Sequence, residues 1–178
     1  MTERLQRWLF APRDVAALVA FRIAFGLLVT VSAVRFLTYG WVDELFGRTS
    51  FQFHYWGFGW VPQLPGEWLK PAFAALVVLG LMVSSGFLYR AATALVFVLF
   101  TWLQLYDVTN YLNHYYLVSL LALLMTFMPL GRAFSVDAWL RPSTRLSTFP
   151  AWCTALLRFQ VGTVYFFAGL AKLNADWL

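Results

Sequence analysis

Residues 15–37 read VAALVAFRIAFGLLVTVSAVRFL, an apolar run broken only by Arg22 and Arg35 and by the hydroxyls of Thr30 and Ser32. A helix needs roughly 20 mainly apolar residues to cross a hydrocarbon layer about 30 Å thick, and this run reaches that length. Lipid offers the backbone no hydrogen-bond partners, so such a span must be helical. Four further apolar blocks follow, at about 72–88, 91–106, 114–130 and 152–172, of which the blocks at 91–106 and 114–130 are short. The expected fold is therefore all-α: a polytopic transmembrane helix bundle of about five spans, forming a single transmembrane domain over residues 1–178.

Composition agrees with that reading. Of 178 residues, 61% are hydrophobic, 20% aromatic and only 12% charged, with a mean hydropathy of +0.68. A soluble domain carries roughly a quarter charged residues, so most of this surface faces something other than water. The net charge of +5 comes without a basic run or a recognition motif, which argues against nucleic acid. Cys153 is a single cysteine and excludes an internal disulfide; no Cys or His has zinc-ligand spacing, so no metal is expected. Arg4, Arg7 and Arg13 ahead of the first run superficially resemble a signal peptide. That run is too long for an h-region and lacks a small-residue cleavage site, so it reads as a retained first span.

Basic residues orient the spans. With five alternating spans, Arg4, Arg7, Arg13, Arg90, Arg132, Arg141 and Arg145 share one side, and Arg48, Lys70 and Lys172 the other. The N-terminus is expected in the cytoplasm, with the bacterial inner membrane as the location. The connection from Tyr39 to Trp68, the turn from Asp107 to Asn113 and the end at Lys172 then share the extracytoplasmic side. That connection is crowded with rings: Trp41, Phe46, Phe51, Phe53, Tyr55, Trp56, Phe58, Trp60 and Trp68. Two readings stay open for it, an interfacial aromatic belt and a half-buried cap over a lipid-like ligand.

Ionisable groups inside spans face the bundle interior or a hydrated cavity more often than lipid; Arg22 and Arg158 are such groups. Arg158, Gly162, Tyr165, Gly169 and Lys172 recur at steps of four and three, which places them on one helical stripe. With two glycines, that stripe reads as a packing seam. A second polar group collects at the outer ends of the third and fourth spans: Thr101, Gln104, Asp107, Asn110, Asn113 and His114. One outer site could hold this group and Lys172 together. Each member also has a plainer role: Asn110 or Asn113 as a helix N-cap, His114 as an interfacial ring, Lys172 as a snorkelling lysine.

Two stretches go further. Asn113-His114-Tyr115-Tyr116-Leu117, continuing to Phe134-Ser135-Val136-Asp137, resembles the Asn-His segment of the vitamin K-dependent γ-glutamyl carboxylases. Leu157-Arg158-Phe159-Gln160 through Val164-Tyr165-Phe166-Phe167-Ala168-Gly169-Leu170-Ala171-Lys172-Leu173-Asn174-Ala175-Asp176-Trp177 resembles the catalytic-lysine segment of that family. Weaker similarity in the first span and around His54 to Pro65 resembles its wider bacterial branch, the horizontally transferred transmembrane domain.

The resemblance implies an integral membrane enzyme that couples oxidation of a vitamin K-type hydroquinone, or a related quinol, by oxygen to carboxylation of glutamate in a peptide or protein, with carbon dioxide as co-substrate. It implies Lys172 as general base, His114 as the group that stabilises charge and Asn113 as the residue that orients His114. Tyr165, Gln104 and Trp56 are the residues expected against the substrate. A lysine is a base only when neutral, and an apolar pocket favours that form. Ala171 and Asn174 depart from the Lys and Asp found in the animal enzymes. Those enzymes continue beyond the lysine, so this chain is expected to be the N-terminal part of a longer protein. The alternative is a non-enzymatic membrane helper, or a lipid-binding component, in peptide maturation or export.

Overall fold

The computed structural model describes residues 3–47, 53–62 and 65–173. Arg48, Phe51, Asn174, Ala175, Asp176 and Trp177, which enter the reading above, lie outside the described residues. Contacts gather the chain into two compact units, one of residues 16–146, the other joining the chain up to Val15 to the chain from Ser147 onward.

The larger unit is a polytopic helical bundle of α2 (Ala16–Thr38), α3 (Gly66–Ser85), α4 (Tyr89–Leu105) and α5 (Asn113–Phe127), each packed on its neighbour in sequence. α2 and α3 are long and apolar enough to cross a membrane. α4 and α5, at 17 and 15 residues, rise roughly 25 and 22 Å, so their ends must extend into the interface through the turns beside them.

α2 and α3 run antiparallel through a glycine crossing. A methyl group built on Gly26 would lie 2.5 Å from the Gly80 carbonyl and 2.5 Å from the Ser84 amide. Only glycine lets the two backbones approach so closely, as small residues do between membrane helices. Beside the crossing, the Thr30 hydroxyl donates to the carbonyl of Gly26 at 2.9 Å. Further along, Phe36 stacks on Phe73 with centroids 5.0 Å apart, opening a core that takes in Phe46, Leu69, Phe100 and Tyr106.

The other end is held by polar groups. Arg22 is 1% exposed; its guanidinium donates to the carbonyls of Leu130 at 3.0 Å, Ala133 at 3.3 Å and Phe134 at 2.7 Å, all just beyond the C-terminus of α5. α6 (Val136–Leu140) follows, with Ser135 as its cap. Asp137 of α6 accepts the amides of Leu88 at 2.8 Å and Tyr89 at 2.9 Å, and so caps α4 from a distant part of the chain. Gly86 ends α3 with a φ of 69°, and any side chain there would collide with Ser135 and Arg22.

The smaller unit holds α1 (Glu3–Leu9), a pair of three-residue strands, β1 (Pro12–Asp14) and β2 (Thr148–Pro150), and α7 (Ala151–Ala171). The strands are antiparallel, Arg13 opposite Phe149. α7 is a third helix long and apolar enough to cross a membrane.

Two expectations need correction. α3 begins at Gly66, not near residue 72: Pro71 lies inside the helix and removes one backbone hydrogen bond there, but Leu69, 1% exposed, anchors the first turns in the core. The connection before it is shorter accordingly, and Trp68 and Lys70 are helical. The strand pair was not expected, because its residues carry no alternating pattern. Within the smaller unit, a methyl group built on Gly162 or Gly169 of the α7 stripe meets nothing within 4 Å. The close glycine packing lies in α2 and α3.

Candidate functional site

The turn from α4 to α5 builds the polar end of the larger unit. Asp107, 2% exposed, accepts the Thr109 amide at 2.9 Å and its hydroxyl at 2.8 Å, which fixes the short 3-10 turn Val108–Asn110. The Asn110 amide donates to the Leu45 carbonyl at 3.1 Å, and the Val108 amide to the Phe53 carbonyl at 2.9 Å. These bonds tie the turn to the aromatic connection at Leu45 and at Phe53. Tyr55 lands here too, its ring edge-on to Tyr111 at 6.3 Å. Burial, with Tyr111 and Asp107 nearby, raises the Tyr55 hydroxyl above its ordinary pKa.

Under this turn lies a cavity of about 230 Å³, walled by Phe36, Phe46, Phe73, Phe100 and Tyr115, with Gln104, Thr109 and Asn110 on its polar side. It adjoins a cleft of about 910 Å³ between α2 and α5; Ser32, Phe36, Phe100 and Tyr115 border both. The cleft is apolar along its length and carries Arg35, Glu44 and His114 at this end. The His114 ring meets Tyr115 at 4.5 Å, and Tyr115 meets Phe100 at 5.9 Å. Rings on several sides and polar groups on one give the cavity stacking surface and hydrogen-bonding groups together.

A family model for the HTTM domain matches residues 10–178. The chain belongs to the HTTM domain family. No solved structure matches it.

Within this HTTM domain, the residues singled out by sequence are distributed as follows. Gln104 lines the cavity and His114 the cleft beside it. Asn113, the first residue of α5, is exposed, and among the described residues no hydrogen bond joins it to His114. The cap of α5 is Leu112, without a side-chain bond, so neither Asn110 nor Asn113 is its N-cap. Asp107 turns back into its own turn, and the Thr101 hydroxyl is buried with no partner among the described residues. Trp56 is 98% exposed at the tip of its loop. The aromatic connection divides: Trp41 and Phe46 pack against Phe36, while Trp56 and Trp60 face outward.

Lys172 and Tyr165 belong to the smaller unit. Lys172 caps α7, its amide donating to the Gly169 carbonyl at 3.1 Å, and its side chain is exposed; Tyr165 is 75% exposed. Sequence reasoning missed Arg35 and Glu44. Arg35 lies three residues after Ser32, which puts both on one face of α2, and that spacing was the available signal. No group of three or more His, Cys, Asp or Glu residues among the described ones could hold a metal ion.

Proposed function

We propose that this HTTM domain is the membrane core of a quinol-dependent enzyme resembling the γ-glutamyl carboxylases, and that the aromatic cavity beside His114 is where the quinol ring sits. The cavity carries the reading: six aromatic residues in its walls, with Gln104 and Thr109 on one side, offer stacking surface and hydrogen bonds to a ring with oxygens. When bound, the quinol supplies the reducing equivalents whose oxidation by oxygen drives removal of a glutamate γ-proton, and carbon dioxide takes that proton's place on carbon. In this proposal Lys172 Nζ receives a quinol hydroxyl proton, His114 offsets the negative charge left behind, and Asn113 and Tyr165 orient the reacting groups. Trp56 holds the substrate from the loop side. The proposal places the site on the extracytoplasmic face of a bacterial inner membrane, with the N-terminus in the cytoplasm.

The test supplies purified protein with reduced vitamin K, oxygen, bicarbonate and a glutamate peptide. Lys172→Ala should lower quinol oxidation and carboxylation together by a factor of about 10²–10⁴, the usual worth of a general base, with a small added amine restoring part of both. Lys172→Arg should not restore them, because guanidinium stays protonated. Full activity in Lys172→Ala would remove the lysine from the mechanism. The exposure of Lys172 and Tyr165 favours a second reading, a helper in peptide maturation or export, under which none of these substrates is consumed.

A further inference from the structure

The cleft between α2 and α5 extends well past the proposed quinol position. α2 packs on α3 and α5 on α4, which leaves a gap whose α2 wall runs from Phe21 to Arg35 and whose α5 wall runs from Leu121 to His114. The α2 wall climbs fourteen helical steps, about 21 Å, more than the roughly 15 Å depth of one leaflet; the α5 wall climbs seven, about 10 Å, and between their polar ends the lining is apolar apart from Ser32. Ala24 and Leu28 are exposed on the α2 wall, Leu28 by 69%. An alkyl chain could lie along this cleft from the bilayer side without displacing any residue.

The mouth holds two opposite charges that do not neutralise each other. The Arg35 guanidinium rests over the rings of Trp41 at 5.3 Å and Tyr39 at 5.9 Å, and among the described residues its side chain forms no hydrogen bond or ion pair. Its planar set of donors is therefore oriented but unspent, and such a fork matches a phosphate. Glu44 likewise has no ion pair among the described residues, whereas its neighbour Asp43 is taken by Lys70 at 2.8 Å. His114 and Tyr115 are the other titratable groups at this mouth. A head group carrying both a phosphate and a hydrogen-bonding ammonium satisfies Arg35 and Glu44 together; a purely anionic head leaves Glu44 repelled, and a trimethylated ammonium cannot donate to it.

We propose that the α2/α5 cleft binds a phospholipid with a phosphoethanolamine head, its phosphate on Arg35, its ammonium on Glu44 and one acyl chain along the apolar walls. The proposal does not depend on the quinol reading, and its test uses no activity. Purified protein is incubated with an equimolar mixture of phosphatidylethanolamine, phosphatidylcholine and phosphatidylglycerol of identical chains, and retained lipid is counted by native mass spectrometry. Phosphatidylethanolamine should be retained over the other two by roughly tenfold, the scale of one charge-assisted hydrogen bond. Arg35→Gln should lower its retention by a similar factor, and Glu44→Gln should bring it down to the phosphatidylcholine level without changing phosphatidylcholine. Ala24→Trp, which fills the cleft from an exposed position, should lower all three, with Leu28→Trp as its substitute should that variant fold poorly. Arg90→Gln, at the opposite end of α4, should change nothing. Equal retention of the three lipids by the unaltered protein, or retention unchanged by a cleft-filling tryptophan, overturns the proposal.

Discussion

An arginine inside a span costs a few kcal/mol unless its charge and donors are met, and Arg22 meets them with backbone. Its three carbonyl partners follow the C-terminus of α5, where carbonyls lack helical partners and a cation is favoured. Arg22→Ala strands those carbonyls in a buried site, so it should lower stability by about 3 kcal/mol, while Arg22→Lys, with a charge but no fork, should lose about half of that; chemical unfolding in micelles measures both. Sequence placed Arg22 facing inward but could not name its partners, which lie more than a hundred residues away. Tyr55 offers a second test. Its hydroxyl is raised above 10.0 in the folded protein, first by burial, then by Tyr111 and Asp107. A raised acid keeps its proton after the unfolded form has lost it, so Tyr55 stabilises docking below pH ~10 and the docking weakens as pH rises through the higher folded value. A tyrosinate absorbance titration should lose one late-titrating tyrosine in Tyr55→Phe.

Among the elements, α2, α3 and α7 are all long and apolar enough to cross a membrane, yet their glycines differ in what they meet. Gly26 and Gly80 sit where two backbones touch; within the smaller unit, Gly162 and Gly169 meet no neighbour within 4 Å. Gly26→Leu should therefore separate α2 from α3 and cost about 3 kcal/mol or prevent folding, at the upper end of overpacking. Gly162→Leu in the same chain should cost under about 0.5 kcal/mol, as surface changes do. A comparison of the two melting midpoints in detergent decides it, and equal losses would show that α7 is packed as tightly as α2. A small residue every three or four positions was visible in the sequence for α7, and more weakly for α2 and α3. Spacing alone gives the face a glycine occupies, and not which helix, if any, comes to meet it. The start of α3 was misplaced for a related reason: the span was read from its apolar block alone, and the burial of Leu69 that carries the helix back past Pro71 is a tertiary effect.

For the whole molecule, the topology proposed from the arginines makes a direct prediction. In a Cys153→Ala background, cysteines placed beside Arg90 or Arg141 should resist an impermeant thiol reagent in intact cells, and one at Gly59 should react; the opposite pattern would move the proposed site to the cytoplasmic side. Family membership, the all-α class and the apolar helices were legible in the sequence, because membrane spans announce themselves by length and hydropathy without reference to neighbours. The polar group at the α4–α5 turn was legible as a group, since its residues lie within one short segment. The assignment of its members was not. Asp107 is consumed by its own turn, Gln104 lines the cavity, His114 lines the cleft, and Arg35 and Glu44 join them from α2 and the turn beyond it. A cavity is the space that several separate helices fail to fill, so its walls, its volume and the charges at its mouth arise only when those helices pack.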